Sequence, residues 1–175
     1  MTDESIGGML RIALILTVIM LLSAIALAVT HIYTKPFIDQ TKEQKLKEGL
    51  SMVVTQADDF KDLGGGYYEA LLDGKVIGKI STVYADGYND KIKMLIGISD
   101  GKILGVHILE HLETPGLGAR STEVRPDEDE PWFLRQFKGL DSVALKKDGG
   151  NIDAITAATI TSRAITDAVA EELRK

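Results

Sequence analysis

Four hydroxyl side chains fall within seven residues near the C-terminus. They are Thr156, Thr159, Thr161 and Ser162, in the run Asp153-Ala154-Ile155-Thr156-Ala157-Ala158-Thr159-Ile160-Thr161-Ser162. Ala157 and Ala158 lie among them, small enough to let a ligand approach the chain. Beyond the run, Ile165, Val169 and Leu173, supported by Ala168, recur at helical spacing. A helix starting here presents unpaired backbone N–H groups in its first turn, which attract anions. Two readings follow. The hydroxyls frame an anion site, or they cap the helix through Thr161 or Ser162 amid threonines that favour extended backbone.

Other constellations are thin. Cys is absent, so disulfides, thiolate metal sites, Cys-ligated clusters and Cys nucleophiles are excluded. The histidines are His31, His107 and His111. The last two stand four apart, but on a stretch that reads as a strand and its exit. With Glu110 between them they match no helical zinc spacing, and no metal site is expected. Neither a Walker loop nor a Gly-x-Ser-x-Gly elbow occurs. Gly64-Gly65-Gly66 reads as a flexible turn or as a loop facing a phosphate. Glu113-Thr114-Pro115-Gly116-Leu117-Gly118 is too punctuated by Pro and Gly to be regular.

The elements that must position these residues follow from periodicity. Tyr67 to Leu72 and Lys75 to Tyr84 flank Asp73-Gly74, a hairpin signal. Lys91 to Ile98 and Lys102 to Leu109 flank Ser99-Asp100-Gly101, a second hairpin. Ile92, Met94, Ile96 and Ile98 alternate cleanly. In the strand from Lys75, Val76, Ile80, Thr82 and Tyr84 oppose Ile77 and Val83, so its inner face is ambiguous. Asp62 to Gly66 reads as a break and Glu123 to Glu130 as a solvated acidic loop. Pro131 is placed to open a helix in which Trp132, Phe133, Gln136 and Phe137 pack into the core. Val143 to Leu145 is a candidate short strand, and the last 14 residues a terminal helix. The expected class is α+β, a mainly antiparallel sheet with packed helices, preceded by one N-terminal transmembrane helix.

That anchor is the apolar run Ile12 to Val29, uncharged over 18 residues and broken only by Thr17 and Ser23. As a helix it spans about 27 Å, close to the thickness of a bilayer core. Small-x-small patterns at Ala24-Ile25-Ala26 and Ala26-Leu27-Ala28 permit a signal peptide. The flank before Arg11 carries no basic residue and the run is long, which favours an uncleaved anchor. Pro36 to Lys47 reads as a helical stalk, followed by an apolar stripe at Leu46, Leu50, Val53 and Val54. The expected layout is residues 1–30 flank and anchor, 31–66 stalk and lead-in, and 67–175 the folded domain. The 175 residues carry a net charge of −6, which argues against a nucleic-acid binder. Lys35, Lys42, Lys45 and Lys47 follow the anchor and only Arg11 precedes it, so charge counting weakly places the domain in the cytoplasm.

Asp153 and Thr156-Ala157-Ala158-Thr159, continued by Ile160-Thr161-Ser162, resemble the flavinylation motif of the FMN-binding domain family, Asp-x-x-Ser/Thr-Gly-Ala-Thr. Glu113 to Gly118 resembles a second signature of that family. Gly87-Tyr88-Asn89-Asp90-Lys91-Ile92 resembles a third, less closely. The layout, anchor included, is similar to the G subunits of Rnf ion-translocating electron-transport complexes, related to the C subunits of sodium-translocating NADH:quinone reductases. The resemblance implies FMN joined through its phosphate to Thr159 as a phosphoester, installed by a flavin transferase that reads Asp153 and Thr156. Where the motif has Gly, this chain has Ala157 followed by Ala158. The resemblance further implies a flavin pocket from Glu113, Thr114, Gly116, Leu117 and Gly118, with Lys146 or Lys147 near the flavin or its phosphate. It implies electron carriage rather than catalysis on a substrate carbon, alongside other membrane subunits, with the domain on the extracytoplasmic side. Alternatives are a sensory FMN domain, a membrane-tethered module without redox chemistry, and a freestanding flavin reductase.

Overall fold

The computed structural model describes residues 3–175. A helix, α1, runs over Asp3–Val53. A five-stranded sheet follows: β1 (Asp59–Gly64), β2 (Tyr67–Leu72), β3 (Lys75–Asp86), β4 (Lys91–Ser99) and β5 (Lys102–Glu110). A 3-10 turn (Gly118–Thr122), a short helix α2 (Trp132–Arg135) and the terminal helix α3 (Thr159–Leu173) complete the chain. The α+β expectation holds, with its antiparallel sheet and one helix apolar and long enough to cross a membrane.

Two compact units divide after Gln44. The first holds the apolar part of α1, whose most apolar window has none of its surface buried by protein. A helix bare of protein contacts in its apolar part needs another apolar environment, as a bilayer supplies. Thr17, Thr30, Thr34 and Thr41 each donate their hydroxyl to the carbonyl four residues back, satisfying a polar group without water. Anchor and stalk form one helix, and Pro36 lies inside it without ending it.

The second unit, Lys45–Lys175, is built on the sheet, a simple meander with strands in sequence order and every pair antiparallel. Both Asp-Gly hairpins form. Asp73 and Gly74 have φ of 50° and 74°, and Asp100 and Gly101 have 50° and 72°, the two positive values that a type I′ turn requires. The second turn is thus two residues long, with Ser99 paired to Lys102. The break expected at Asp62–Gly66 is instead the end of a fifth strand, β1, and a turn at Gly65-Gly66. Its sequence Asp-Phe-Lys-Asp-Leu-Gly is polar, because β1 is an exposed edge strand.

Both sheet faces are covered, which resolves the ambiguity of β3. Ile80 and Leu95 meet Leu50, Val53 and Val54 from the end of α1 and its exit. Ala85, Ile92, Met94 and Ile96 meet Phe133, Phe137, Ile155, Ile165 and Val169 on the opposite face. Gly97 and Gly105 are paired across β4 and β5, and a side chain at either would strike Val53, so their bareness lets the helix end approach. Phe133 and Phe137 are fully buried, stacked edge to face at 5.6 Å. The helix expected after Pro131 is only one turn. Val143–Leu145 is no strand; Leu145 makes one isolated parallel bridge to Ile152.

Candidate functional site

The hydroxyl run folds into a turn that feeds α3. Ala158 N–H donates to Ile155 C=O at 3.0 Å, closing a four-residue turn with Thr156 and Ala157 at its centre. Ala157 has φ of 63°, the left-handed region a glycine adopts without penalty. Helix α3 begins at Thr159, three residues earlier than the sequence suggested, and its N-cap residue Ala158 supplies no side-chain cap. Thr161 and Ser162 are therefore not caps. Ser162 Oγ accepts from Ile155 N–H and donates to Ala158 C=O, both at 2.9 Å, pinning the turn against the helix. The first helical bond runs from Ser162 N–H, and the amides of Thr159, Ile160 and Thr161 have no hydrogen-bond acceptor among the described residues. An uncapped first turn with free donors is the anion-binding end of the helix.

Thr159 is exposed. It stands between two hollows. One, about 390 Å³, is lined by Tyr88, Glu113, Thr114, Leu117 and Gly118 together with Ala157–Thr161. The other, about 410 Å³, is lined among others by Tyr84, Asp86, Arg163 and Asp167. Both are of the size that holds a cofactor (~300–1,000 Å³). An accessible hydroxyl, free amides beside it and adjoining space are what a phosphate ester and an attached ring require.

The first hollow draws on three segments far apart in sequence: the turn after β3, the irregular loop after β5, and the start of α3. Glu113, only 6% exposed, joins them. Its Oε1 accepts from Tyr88 N–H at 2.8 Å and Asn89 N–H at 3.2 Å, and its Oε2 from Thr161 Oγ1 at 2.5 Å. Asn89 Nδ2 donates to Leu112 C=O at 2.9 Å, a second tie between turn and loop. His111 Nδ1 accepts from Glu113 N–H at 3.3 Å, leaving Nε2 to donate to Thr122 Oγ1, whose own hydroxyl donates to Ala119 C=O. That chain of bonds selects the tautomer with the proton on Nε2.

Of the residues singled out from sequence, Thr159, Ala157, Ala158, Glu113, Thr114, Leu117 and Gly118 meet at this hollow. Gly116, at φ 77°, turns the loop but does not line the hollow, and neither does Thr156. Asp153 and Lys146 pair with each other at 2.6 Å, more than half exposed, away from the lining. Gln136 holds the Asp153 backbone from both sides: Oε1 accepts its N–H at 2.8 Å and Nε2 donates to its C=O at 3.2 Å. Sequence reasoning assigned no site role to Tyr88 or Gln136, and offered Thr161 only as one hydroxyl of an anion site or as a helix cap. Only the loose resemblance of Gly87-Tyr88-Asn89-Asp90-Lys91-Ile92 to a family segment hinted at the first.

A model of the FMN-binding domain family matches residues 87–174. The G subunit of the proton-translocating ferredoxin:NAD(+) oxidoreductase complex of Clostridium ljungdahlii is 31% identical, aligned over 99% of this chain and 94% of that protein. The G subunit of the ion-translocating oxidoreductase complex of Methanosarcina acetivorans is also 31% identical, over 91% of this chain and 89% of its own length. The crystal structure of Shewanella oneidensis NqrC superposes with a TM-score of 0.47 at 20% identity, over 68% of this chain and 66% of that one.

Proposed function

The chain belongs to the FMN-binding domain family, among homologues of the G subunits of ion-translocating oxidoreductase complexes, and from that premise we propose that it carries electrons in such a complex through an FMN esterified to Thr159. The observation that carries this reading is the exposed Thr159 at the uncapped start of α3, between two ligand-sized hollows. Bound there, FMN would supply single-electron acceptance and donation.

The chain's own residues hold and shield the group. Thr159 Oγ1 supplies the ester oxygen, and the free amides of Thr159, Ile160 and Thr161 stabilise the remaining phosphate charge. Leu117 offers apolar surface and Thr114 a hydroxyl. Gly118 leaves room for the Glu113 carboxylate and the Thr161 hydroxyl, which a side chain there would strike. Asp153 and Thr156, both exposed, are available to the flavin transferase that installs the group, and the Gln136 clamp fixes Asp153 for that encounter. Ala157 already occupies the left-handed conformation that the motif's Gly would favour, which supports a turn of the same form despite the methyl.

The apolar part of α1 anchors the protein in the bilayer, where the other subunits of the complex are its partners. The flavin domain, residues 67–175, lies on the extracytoplasmic side of the cytoplasmic membrane, against the weak lysine count. Protease treatment of spheroplasts tests the placement: digestion of the domain is expected, and full protection reverses it. For the cofactor, the full chain is co-produced with a flavin transferase, denatured and analysed by mass spectrometry. The Thr159 peptide should carry FMN, and Thr159→Val should lose all covalent flavin. An unmodified Thr159 in the parent protein overturns the assignment.

A further inference from the structure

Glu113 is a buried carboxylate without a cation. Its oxygens receive two backbone N–H groups and one hydroxyl, and it enters no ion pair among the described residues. All three donors point at the carboxylate, whose oxygens act as acceptors only. The surroundings are shaped around it. A side chain at Gly87 would strike Oε1 and one at Gly118 would strike Oε2, so two glycines flank the carboxylate where any other residue would displace it. Such burial is costly unless the charge is well hydrogen-bonded. A neutral Gln of the same shape could accept the same amide bonds, so the shape alone does not explain the charge.

The carboxylate shares its hollow with Thr159. We propose that Glu113 is a positioning and potential-setting residue: it bolts the three segments of the flavin hollow together and lowers the reduction potential of the group on Thr159 by holding an uncompensated negative charge beside it. The inference rests on the attachment proposed above. Each electron delivered by an external reductant adds negative charge to the flavin, and an anion held almost out of solvent beside it opposes that addition. No bond of Glu113 is made or broken.

Mass spectrometry of the parent protein comes first: an unmodified Thr159 overturns the attachment and this inference with it, whereas the potentials of flavinylated protein bear on this inference alone. With flavinylated full-length protein in detergent, the midpoint potential is measured by spectroelectrochemical titration at mildly alkaline pH. Glu113→Gln should favour the reduced flavin about tenfold at a fixed potential, a positive shift of roughly 59 mV for a one-electron couple. Thr161→Val removes one donor from the carboxylate while leaving its charge, so it should shift the potential the opposite way. Loss of packing would not give opposite signs. If Glu113→Gln fails to fold, the downward shift of Thr161→Val carries the test. An unchanged or lowered potential in Glu113→Gln, or an unchanged or raised one in Thr161→Val, overturns the proposal.

Discussion

Two glutamates in the Lys45–Lys175 unit are nine-tenths buried, and they are finished differently. Glu172, near the end of α3, is 9% exposed and accepts a hydroxyl from Ser81 at 2.6 Å; Lys175 then pairs with its second oxygen at 2.8 Å. Glu113, facing the start of the same helix, also accepts a hydroxyl but receives backbone amides where Glu172 receives a lysine. The first is a neutralised tether between the helix and β3. Its lysine is held above its ordinary value of 10.5, chiefly by the hydrogen bond to Glu172 and then by its charge. The second leaves a net charge in the hollow that Thr159 borders. Burial alone therefore does not distinguish a structural carboxylate from a functional one; the partner that answers its charge does.

Truncation separates them most strongly. Glu113→Ala strands two amides and a hydroxyl at about 1 kcal/mol each, so a loss of roughly 3 kcal/mol is expected in urea unfolding of the domain signal. Glu172→Ala should lose only about 1 kcal/mol, because Lys175 then returns to water and Ser81 alone is stranded. Equal losses would break the contrast. A smaller effect belongs to the turn before α3: Ala157→Gly removes the left-handed strain of a residue at φ 63° and should raise stability by up to about 1 kcal/mol, with covalent flavin loading retained. Loss of loading would mean that the transferase reads the methyl.

The smallest effect sharpens the picture on the opposite sheet face. His107 lies where the chain passes closely at Gly49 and has a lowered pKa, mainly because burial disfavours its charged form, against a weaker opposing pull from Glu48. A depressed folded value means the unfolded chain binds the proton more readily. The stability from neutral His107 is then full above the ordinary value of 6.5 and is lost as pH falls through the folded value. The melting temperature should decline as pH falls from 6.5 toward the folded value, and His107→Leu should flatten the decline. An unchanged slope would remove His107 from the account.

The sequence was most legible where the signal is local. Asp73-Gly74 and Asp100-Gly101 specify their turns because few residues tolerate two successive positive φ values. Ile165 and Val169 announce the buried stripe of α3 by spacing alone, and both are fully buried. β1 escaped notice because a solvated edge strand needs no apolar alternation. The start of α3 was misplaced because Ser162 and Thr161, good caps by composition, are engaged elsewhere: one reaches back to Ile155 and the other donates to Glu113.

By itself, then, the sequence determined the anchor, the two Asp-Gly hairpins and the terminal helix, since each depends on residues within a turn or a few periods of one another. It also placed the hydroxyl run ahead of that helix. Only the tertiary structure decided that Tyr88, Glu113 and Thr161 meet, across separations of 25 and 48 residues. Hydrogen bonds between distant segments leave no period in a sequence, because the chain geometry that joins them is set by how the sheet and helices pack.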